Sequence, residues 1–240
     1  MLDDHEFEEL LRHTMADLTE KFSRPTEVGV ILRAVTSASV ELIDGVDAAD
    51  ILLISEPDQF QSVAATSQLA VDLDGFQKRF GQGPCMDAAS GDSVVRADDL
   101  RDDQRWPRFA RAALAAGVQS MLSFHLYTHN RHQGALNLLG FKPNVFNPEA
   151  GAAAAMLATH AAIALIAEDK QRQFASALAS RDVIGQAKGM IMERFNVDAV
   201  RAFELLRTVS QNSNTSVADL AAYIVARGST GGRRSSQPPE

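Results

Sequence analysis

The residues whose types and spacing could do chemistry are few and scattered along the chain. The histidines nearest to a metal-ligand spacing are His125, His129 and His132, and the densest acidic run is Asp98, Asp99, Asp102 and Asp103. Imidazoles bind zinc, and grouped carboxylates bind calcium or magnesium. A hairpin turn expected at 130–133 separates the histidines, however, and acidic runs more often cap turns or face solvent. We therefore expect no metal site.

The chain has one cysteine, Cys85. A nucleophilic thiolate needs a histidine base beside it, which the sequence does not place there, so a small buried hydrophobic side chain is the simpler interpretation. The motifs G-x-S-x-G, G-x-x-x-x-G-K-[ST] and H-E-x-x-H do not occur in the sequence. We therefore expect a protein that is not an enzyme and that holds no cofactor.

Charge is distributed unevenly over the 240 residues. Residues 1–169 hold 13 basic and 25 acidic side chains, whereas residues 170–240 hold 10 basic and 6 acidic ones. The total of −8 argues against nucleic acid, but a basic C-terminal part on an acidic body predicts two modules with separate tasks. The acidic N-terminus does not resemble a secretory signal, so we expect a cytoplasmic protein.

Hydrophobic periodicity predicts an α+β fold. Helices are predicted at 3–22, 25–44, 71–80 and 106–116, and strands at 49–55, 61–66, 94–97, 120–128 and 134–141. Two pairs of these strands are separated by short turns, which indicates hairpins. The order predicts a mostly antiparallel sheet with flanking helices.

A long helix follows the sheet. Almost nothing breaks helical sequence from Pro148 to Phe195, and an apolar seam runs along its middle through Ile163, Ile166, Phe174, Ala177 and Leu178. A long helix with a thin seam usually finds a partner helix, so we expect a homodimer. The most apolar stretch, Gly151–Ala167, is judged too short and too weakly hydrophobic for a membrane span.

Two further helices are predicted at 198–211 and 216–227. Val200, Phe203, Leu206 and Val209 would form the inner face of the first. The second begins with the capping box Ser216-x-x-Asp219. The last residues, 230–240, lack core side chains and are predicted to be disordered.

The C-terminal motifs occur in a fixed order. They are Arg181, Ile184-Gly185-Gln186-Ala187-Lys188-Gly189, Ala202-Phe203-x-x-Leu206-Arg207, Ser210-Gln211 and Asp219-x-Ala221. With this order and spacing, residues 180–227 resemble the ANTAR domain, the RNA-binding antiterminator module of bacterial transcription regulators. The resemblance implies a three-helix unit on a coiled-coil stem whose targets are RNA hairpin loops.

A second set of motifs lies upstream. It comprises Gly81-Gln82-Gly83-Pro84-Cys85-x-x-Ala88, Asp98-Asp99-Leu100, Arg105-Trp106-Pro107-x-Phe109, Gly117-Val118-Gln119-Ser120 and Gly134-Ala135-Leu136-Asn137-Leu138. With these, residues 22–168 resemble a GAF domain of the kind attached to ANTAR in actinobacteria, although His125 stands where that family often has proline. The resemblance implies a pocket for an unknown small molecule between the sheet and residues 83–87, with Cys85, Met86, Asp87 and His125 as candidate ligand-binding residues.

Helical spacing and the ANTAR resemblance together predict an RNA-binding set. It is Arg181, Gln186, Ala187, Lys188, Gly189, Arg207, Ser210 and Gln211. The cations would bind phosphates, Gln186 would bind a base edge, and the small residues would admit the loop. Glycines at 185 and 189 cost a helix about 1 kcal/mol each relative to alanine, which indicates close approach by another helix or by a ligand.

These observations predict four segments and one function. The segments are an N-terminal helix (1–22), a GAF-like sensor domain (23–168), an ANTAR domain whose first helix continues from the linker (169–229) and a disordered tail (230–240). The predicted function is a sensor-coupled RNA-binding regulator that promotes transcription antitermination by stabilising RNA hairpins. The alternative is a small-molecule-binding dimerisation module whose C-terminal helices bind a protein partner.

Overall fold

The computed structural model describes residues 9, 12–17, 27–56, 59–126 and 133–231. The chain divides into two compact units, Met1–Asp169 and Lys170–Glu240. The helices are α1 (Val28–Leu42), α2 (Gln68–Phe80), α3 (Pro84–Ser90), α4 (Pro107–Ala115), α5 (Pro148–Phe195), α6 (Ala199–Ser213) and α7 (Val217–Gly231). The strands are β1 (Ala48–Glu56), β2 (Gln59–Val63), β3 (Val94–Ala97), β4 (Ser120–Leu126) and β5 (Gln133–Gly140).

Some predicted features fall outside the described residues. Residues 12–17 are helical, but most of the predicted N-terminal helix lies outside the described part of the chain. The same holds for the turn after β4 and for 232–240 of the predicted tail. α7 extends to Gly231, so the first two residues of that tail are helical.

The first unit is built on a five-stranded antiparallel sheet with the order β2-β1-β5-β4-β3. β5 is central and pairs with β1 from Leu139↔Ala48 to Gln133↔Ile54. β1 with β2 and β4 with β5 form the two predicted hairpins. The predicted α+β class, with an antiparallel sheet, flanking helices and one long helix, is confirmed.

Both faces of this sheet are covered. Ile51, Leu122 and Leu136 point to one face, where they pack against α1 and the N-terminal part of α5. Leu52 and Met121 point to the other face, which α2, α3 and α4 cover. Because side chains alternate along a strand, each strand supplies residues to both cores.

The long helix α5 corrects one sequence-based expectation. By length and composition it is apolar enough to cross a membrane, although its most apolar stretch was judged too weakly hydrophobic. Ala153, Leu157 and Ala161 on this helix are buried in the core of the first unit. Packing on the sheet therefore accounts for the apolar composition of this part of α5.

The short helix α3 was not predicted from the sequence. It lies between Gly83 (φ 150°) and Gly91 (φ 135°), and Pro84 occupies its first turn, where a missing N–H costs nothing. Its buried residues Cys85 and Ala88 pack on the sheet. Seven residues are too few to show a helical period in the sequence.

The second unit contains the C-terminal part of α5 with α6 and α7. Its core consists of Ala187, Ile191, Ala202, Leu206 and Ala221. The capping box of α7 is present in part. Ser216 Oγ accepts the Asp219 N–H (3.1 Å), but the Asp219 carboxylate accepts the Ser216 hydroxyl (2.6 Å) and not a backbone N–H.

The predicted inner face of α6 is wrong for three of its four residues. Leu206 is buried, but Val200, Phe203 and Val209 are 70%, 41% and 49% exposed. The buried residues instead follow one another at intervals of four, as Ala202, Leu206 and Ser210. Three alanines in this core let the helices approach closely, and the larger apolar side chains stay outside.

A row of polar side chains crosses the sheet face beneath α2 and α3. Ser123 Oγ donates to Asn137 Oδ1 (2.9 Å), and Asn137 Nδ2 donates to Asp50 Oδ2 (3.5 Å). Asp74 of α2 lies beside Asp50 and accepts a 2.5 Å hydrogen bond from Ser62 Oγ. Asp50 and Asp74 are 1% and 4% exposed, so two carboxyls are buried side by side.

Burial raises the pKa of both carboxyls, and the charge of Asp74 raises the pKa of Asp50 further. Two neighbouring carboxyls in a low dielectric do not ionise independently, so one of them holds its proton to a higher pH than an isolated carboxyl does. The unfolded chain releases that proton near pH 4, whereas the folded chain releases it only at a higher pH. The folded state thus binds more protons in that window, and the free energy of unfolding falls as pH rises through it.

We expect Asp50→Asn to unfold at a higher temperature than the parent protein at pH 7–8. Its stability should also fall less than that of the parent protein as the pH rises above 5. A gain of 1 kcal/mol raises Tm by roughly 2–4 °C for a unit of this size. Circular dichroism melts between pH 4.5 and 8.5 measure this, with the exposed Asp44→Asn as control. An Asp50→Asn protein that is less stable at every pH would contradict the prediction.

Candidate functional site

The polar row in the first unit continues into the helices above it. Asp74 Oδ1 lies 3.6 Å from Cys85 Sγ as a thiol hydrogen-bond acceptor, and the Cys85 N–H donates to Gln77 Oε1 (2.9 Å). Gln77 is fully buried, and its Nε2 has no hydrogen-bond partner. We call Asp50, Asp74, Gln77, Cys85 and Asn137 the acid cluster.

The four predicted ligand-binding residues have different surroundings. Cys85 belongs to the acid cluster, where burial and the charges of Asp74 and Asp50 raise the pKa of its thiol. Asp87 is half-buried, and its Oδ2 accepts the Trp106 Nε1–H (2.9 Å), so it joins α3 to the residue before α4. Met86 is half-buried on α3.

His125 lies two residues beyond Ser123 on β4 and so points to the same face of the sheet. Burial lowers the pKa of its imidazole. The structure thus places Cys85 in the cluster and His125 on the same sheet face, and it ties Asp87 to Trp106. Whether these residues bind a ligand stays a prediction.

Sequence reasoning missed most of the acid cluster. Asp50 is the only charged residue in the apolar run 49–54, and Asn137 interrupts the apolar run 135–139. A lone polar residue inside a buried strand is a signal that it faces a polar partner. Asp74 and Gln77 gave no such signal, because polar residues are ordinary on a surface helix.

The acidic side chains after β3 are paired with arginines. Asp98, Asp99 and Asp103 form ion pairs with Arg96, Arg101 and Arg105 respectively. Hydrogen bonds from Arg101 hold the pKa of Asp99 below its usual range. Among the described residues, no three His, Cys, Asp or Glu side chains form a group that could hold a metal ion. His129 and His132 lie outside the described residues.

The second unit presents an open helix face. Arg181, Gly185 and Gly189 follow one another at intervals of four residues on α5 and are exposed. A Cβ atom added at Gly185 or Gly189 would meet no atom within 4 Å. Close helix packing within the described chain therefore does not explain either glycine.

A cation–π contact joins this face to α6. Lys188 Nζ lies 6.0 Å from the ring centre of Phe203, which was predicted to be core and is exposed. Arg207 and Gln211 follow Phe203 at intervals of four and are exposed as well. Within the described residues, Arg181, Lys188 and Arg207 form no ion pair. We call Arg181, Gly185, Lys188, Gly189, Phe203, Arg207 and Gln211 the glycine face.

Two of the predicted RNA-binding residues lie in the interior. Ala187 is fully buried in the three-helix core, so it cannot contact RNA in this fold. Ser210 is 9% exposed, and its hydroxyl donates to Thr215 O (2.6 Å), which stabilises the turn between α6 and α7. Gln186 is exposed on α5. The small size of Ala187 serves helix packing and not ligand approach.

Comparison with known families matches both units. A GAF domain model matches residues 25–166, and an ANTAR domain model matches residues 172–225. No curated protein matches the chain at a significant level.

Solved structures similar to this chain share its fold at low sequence identity. A free methionine-R-sulfoxide reductase from Neisseria meningitidis has 15% identity and a TM-score of 0.54, over 71% of this chain and 95% of the reductase. The phytochrome photosensory core module of Stigmatella aurantiaca has 14% identity and a TM-score of 0.55, over 84% of this chain and 44% of the phytochrome. A GAF domain from a Coxiella burnetii phosphoenolpyruvate-protein phosphotransferase has 16% identity and a TM-score of 0.51, over 72% and 99%.

A reductase and a phytochrome share this fold, so the fold alone does not assign an activity. The domain pair is more informative, because GAF and ANTAR domains are sensory and regulatory and not catalytic. The GAF model covers more than half of the chain, and the ANTAR model follows it directly. The chain therefore belongs to the GAF domain family and carries a C-terminal ANTAR domain.

Proposed function

We propose that this chain is a cytoplasmic, dimeric RNA-binding regulator that promotes transcription antitermination by stabilising hairpins in nascent RNA. The observation that carries the proposal is the glycine face, an exposed helix surface without side chains at Gly185 and Gly189, bordered by Arg181 and Lys188. The sensor domain at 23–168 binds a small-molecule signal, and the ANTAR domain at 169–229 binds the RNA.

The chemistry of the glycine face suits an RNA loop. Loop bases are splayed out and stack on aromatic rings, whereas the major groove of A-form RNA is closed to side chains. The exposed Phe203 offers such a ring beside the Lys188 charge, and each base stacked on an aromatic side chain contributes about 1–3 kcal/mol. Gln186 and Gln211 are exposed amides that can bind base edges.

We expect alanine at Arg181, Lys188 or Arg207 to weaken binding of a two-hairpin RNA and to lower the slope of log Kd against log salt by about one phosphate contact each. Filter binding at several salt concentrations measures both quantities. Arg201→Ala is the matched control, because this exposed arginine of α6 forms an ion pair with Glu204. Unchanged salt slopes in all three variants would contradict phosphate binding.

The alternative function, a C-terminal unit that binds a protein, has one observation in its favour. Phe195, Val200 and Val209 are exposed apolar side chains on this unit. Binding to a protein through these residues would survive loss of the cations and would depend weakly on salt. The same titrations therefore separate the two functions.

We expect Gly185→Ala and Gly189→Ala to stabilise the second unit and yet weaken RNA binding. Alanine favours a helix by up to about 1 kcal/mol over glycine, and its Cβ meets open space in the free protein. The added methyl group would collide only with a ligand that comes close. The measurement is a melt and an RNA titration on each variant, with Gly75→Ala as a control in α2, where the added Cβ also meets open space. Undiminished RNA affinity in both variants would contradict close approach.

The proposed dimer is supported by the exposed side chains of α5. Residues 170–179 are all exposed in the described chain, including Phe174 at 72% and Leu178 at 49%. Ile163 on the same helix is 51% exposed. We propose that a second copy of α5 covers these side chains, so that a dimer presents two glycine faces and binds paired hairpins with avidity.

We expect Phe174→Asp to shift the protein from dimer to monomer at micromolar concentration, because a charge would replace an aromatic ring that the partner helix covers in the proposed dimer. Light scattering measures the mass. Gln171→Asp, another exposed position on the same stretch of α5, should leave the mass unchanged. A monomeric parent protein under these conditions would overturn the proposed dimer.

A further inference from the structure

We propose that the acid cluster binds a small organic cation, an amine or guanidine that carries an oxygen acceptor close to its positive charge. This names the chemical class of the signal and rests on the proposed sensor function of the first unit. The class follows from two observations on separate residues, the Asp50–Asp74 pair and the amide of Gln77.

The carboxyl pair lacks a counter-charge. Asp50 and Asp74 are almost fully buried and hydrogen-bond each other, and their other hydrogen-bond partners among the described residues are neutral, namely Asn137, Ser62 and the Cys85 thiol. In the described part of the chain, neither carboxylate forms an ion pair. A buried carboxyl either takes up a proton or is paired with a cation. A cationic ligand would supply that charge, whereas an anion would be repelled.

The side chain of Gln77 sets a second requirement for the ligand, independent of its charge. Its Oε1 accepts the Cys85 N–H, which fixes the amide beside the cluster, while its buried Nε2 has no partner. An unsatisfied buried donor costs free energy, and an acceptor atom on a ligand would remove that cost. The amide packs directly on Gly83, where an added Cβ would lie only 2.1 Å from Gln77 Oε1. The ligand therefore needs an oxygen next to its charge.

Cys85, a member of the acid cluster, can report whether a ligand binds there. Cys85 is the only cysteine of the chain and is fully buried on α3. Because the thiol is buried, we expect it to react with iodoacetamide only when α3 moves away from the sheet. A ligand that bridges the carboxyls and Gln77 stabilises the closed state, so it should slow this reaction.

Ethanolamine is the test probe, because it carries an ammonium group and a hydroxyl oxygen. Ethylammonium carries the charge alone, ethylene glycol the oxygens alone, and acetate the opposite charge. At matched ionic strength, ethanolamine at twice its dissociation constant should slow alkylation of Cys85 about threefold. Ethylammonium should do so at higher concentration, and ethylene glycol and acetate should have no effect.

Variants of the acid cluster test whether the slower alkylation of Cys85 depends on these residues. Asp50→Asn and Asp74→Asn should each abolish the protection by ethanolamine, and Gln77→Met should make ethanolamine no better than ethylammonium. Asp44→Asn should behave as the parent protein does. Melting curves confirm folding, and a rise in Tm with ethanolamine in the parent but not in Asp50→Asn is a second readout that does not need the thiol.

Three results would overturn the proposal: no protection by either cation, equal protection by acetate, or full protection in Asp50→Asn. RNA binding is measured on the same preparations. If the cations fail while the parent protein binds hairpin RNA, the ligand class is wrong and the RNA-binding function stands. If ethanolamine protects Cys85 but RNA does not bind, the proposed antitermination function fails and the assigned ligand class stands.

Discussion

Burial of the five-stranded sheet on both faces is the constraint on which the first unit depends. A strand covered on both sides must place every second side chain in one core and the rest in the other. Ile51 and Leu136 therefore meet α1 and α5, while Asp50 and Asn137, their neighbours in sequence, meet α2 and α3. The acid cluster exists because one of these two cores has polar residues at adjacent register positions.

The elements that position this cluster could largely be predicted from the sequence. The strands from 49 to 141 and the helices on either side have apolar periods long enough to identify, and the two hairpins follow from the turn residues between them. α3 could not be predicted, because a seven-residue helix between two glycines has no period. The pairing of Asp50 with Asp74 also could not be predicted, since it joins a strand to a helix across a tertiary contact.

In the second unit, motif positions were easier to predict than burial. A pattern of large apolar residues on α6 pointed to Val200, Phe203 and Val209 as core, but the core is built from Ala187, Ala202 and Ala221. Small side chains permit short distances between helices and leave little room for a phenyl ring. The size of the core residues thus determines which aromatic group remains at the surface beside Lys188.

The edges of the sheet have a consequence for assembly. β2 and β3, the two edge strands, have five and four residues and are its shortest strands. Short edges offer few unpaired N–H and C=O groups to a strand from another molecule, which disfavours edge-to-edge addition and the aggregation that follows from it. Copies of this chain can therefore come close together while their sheets stay separate.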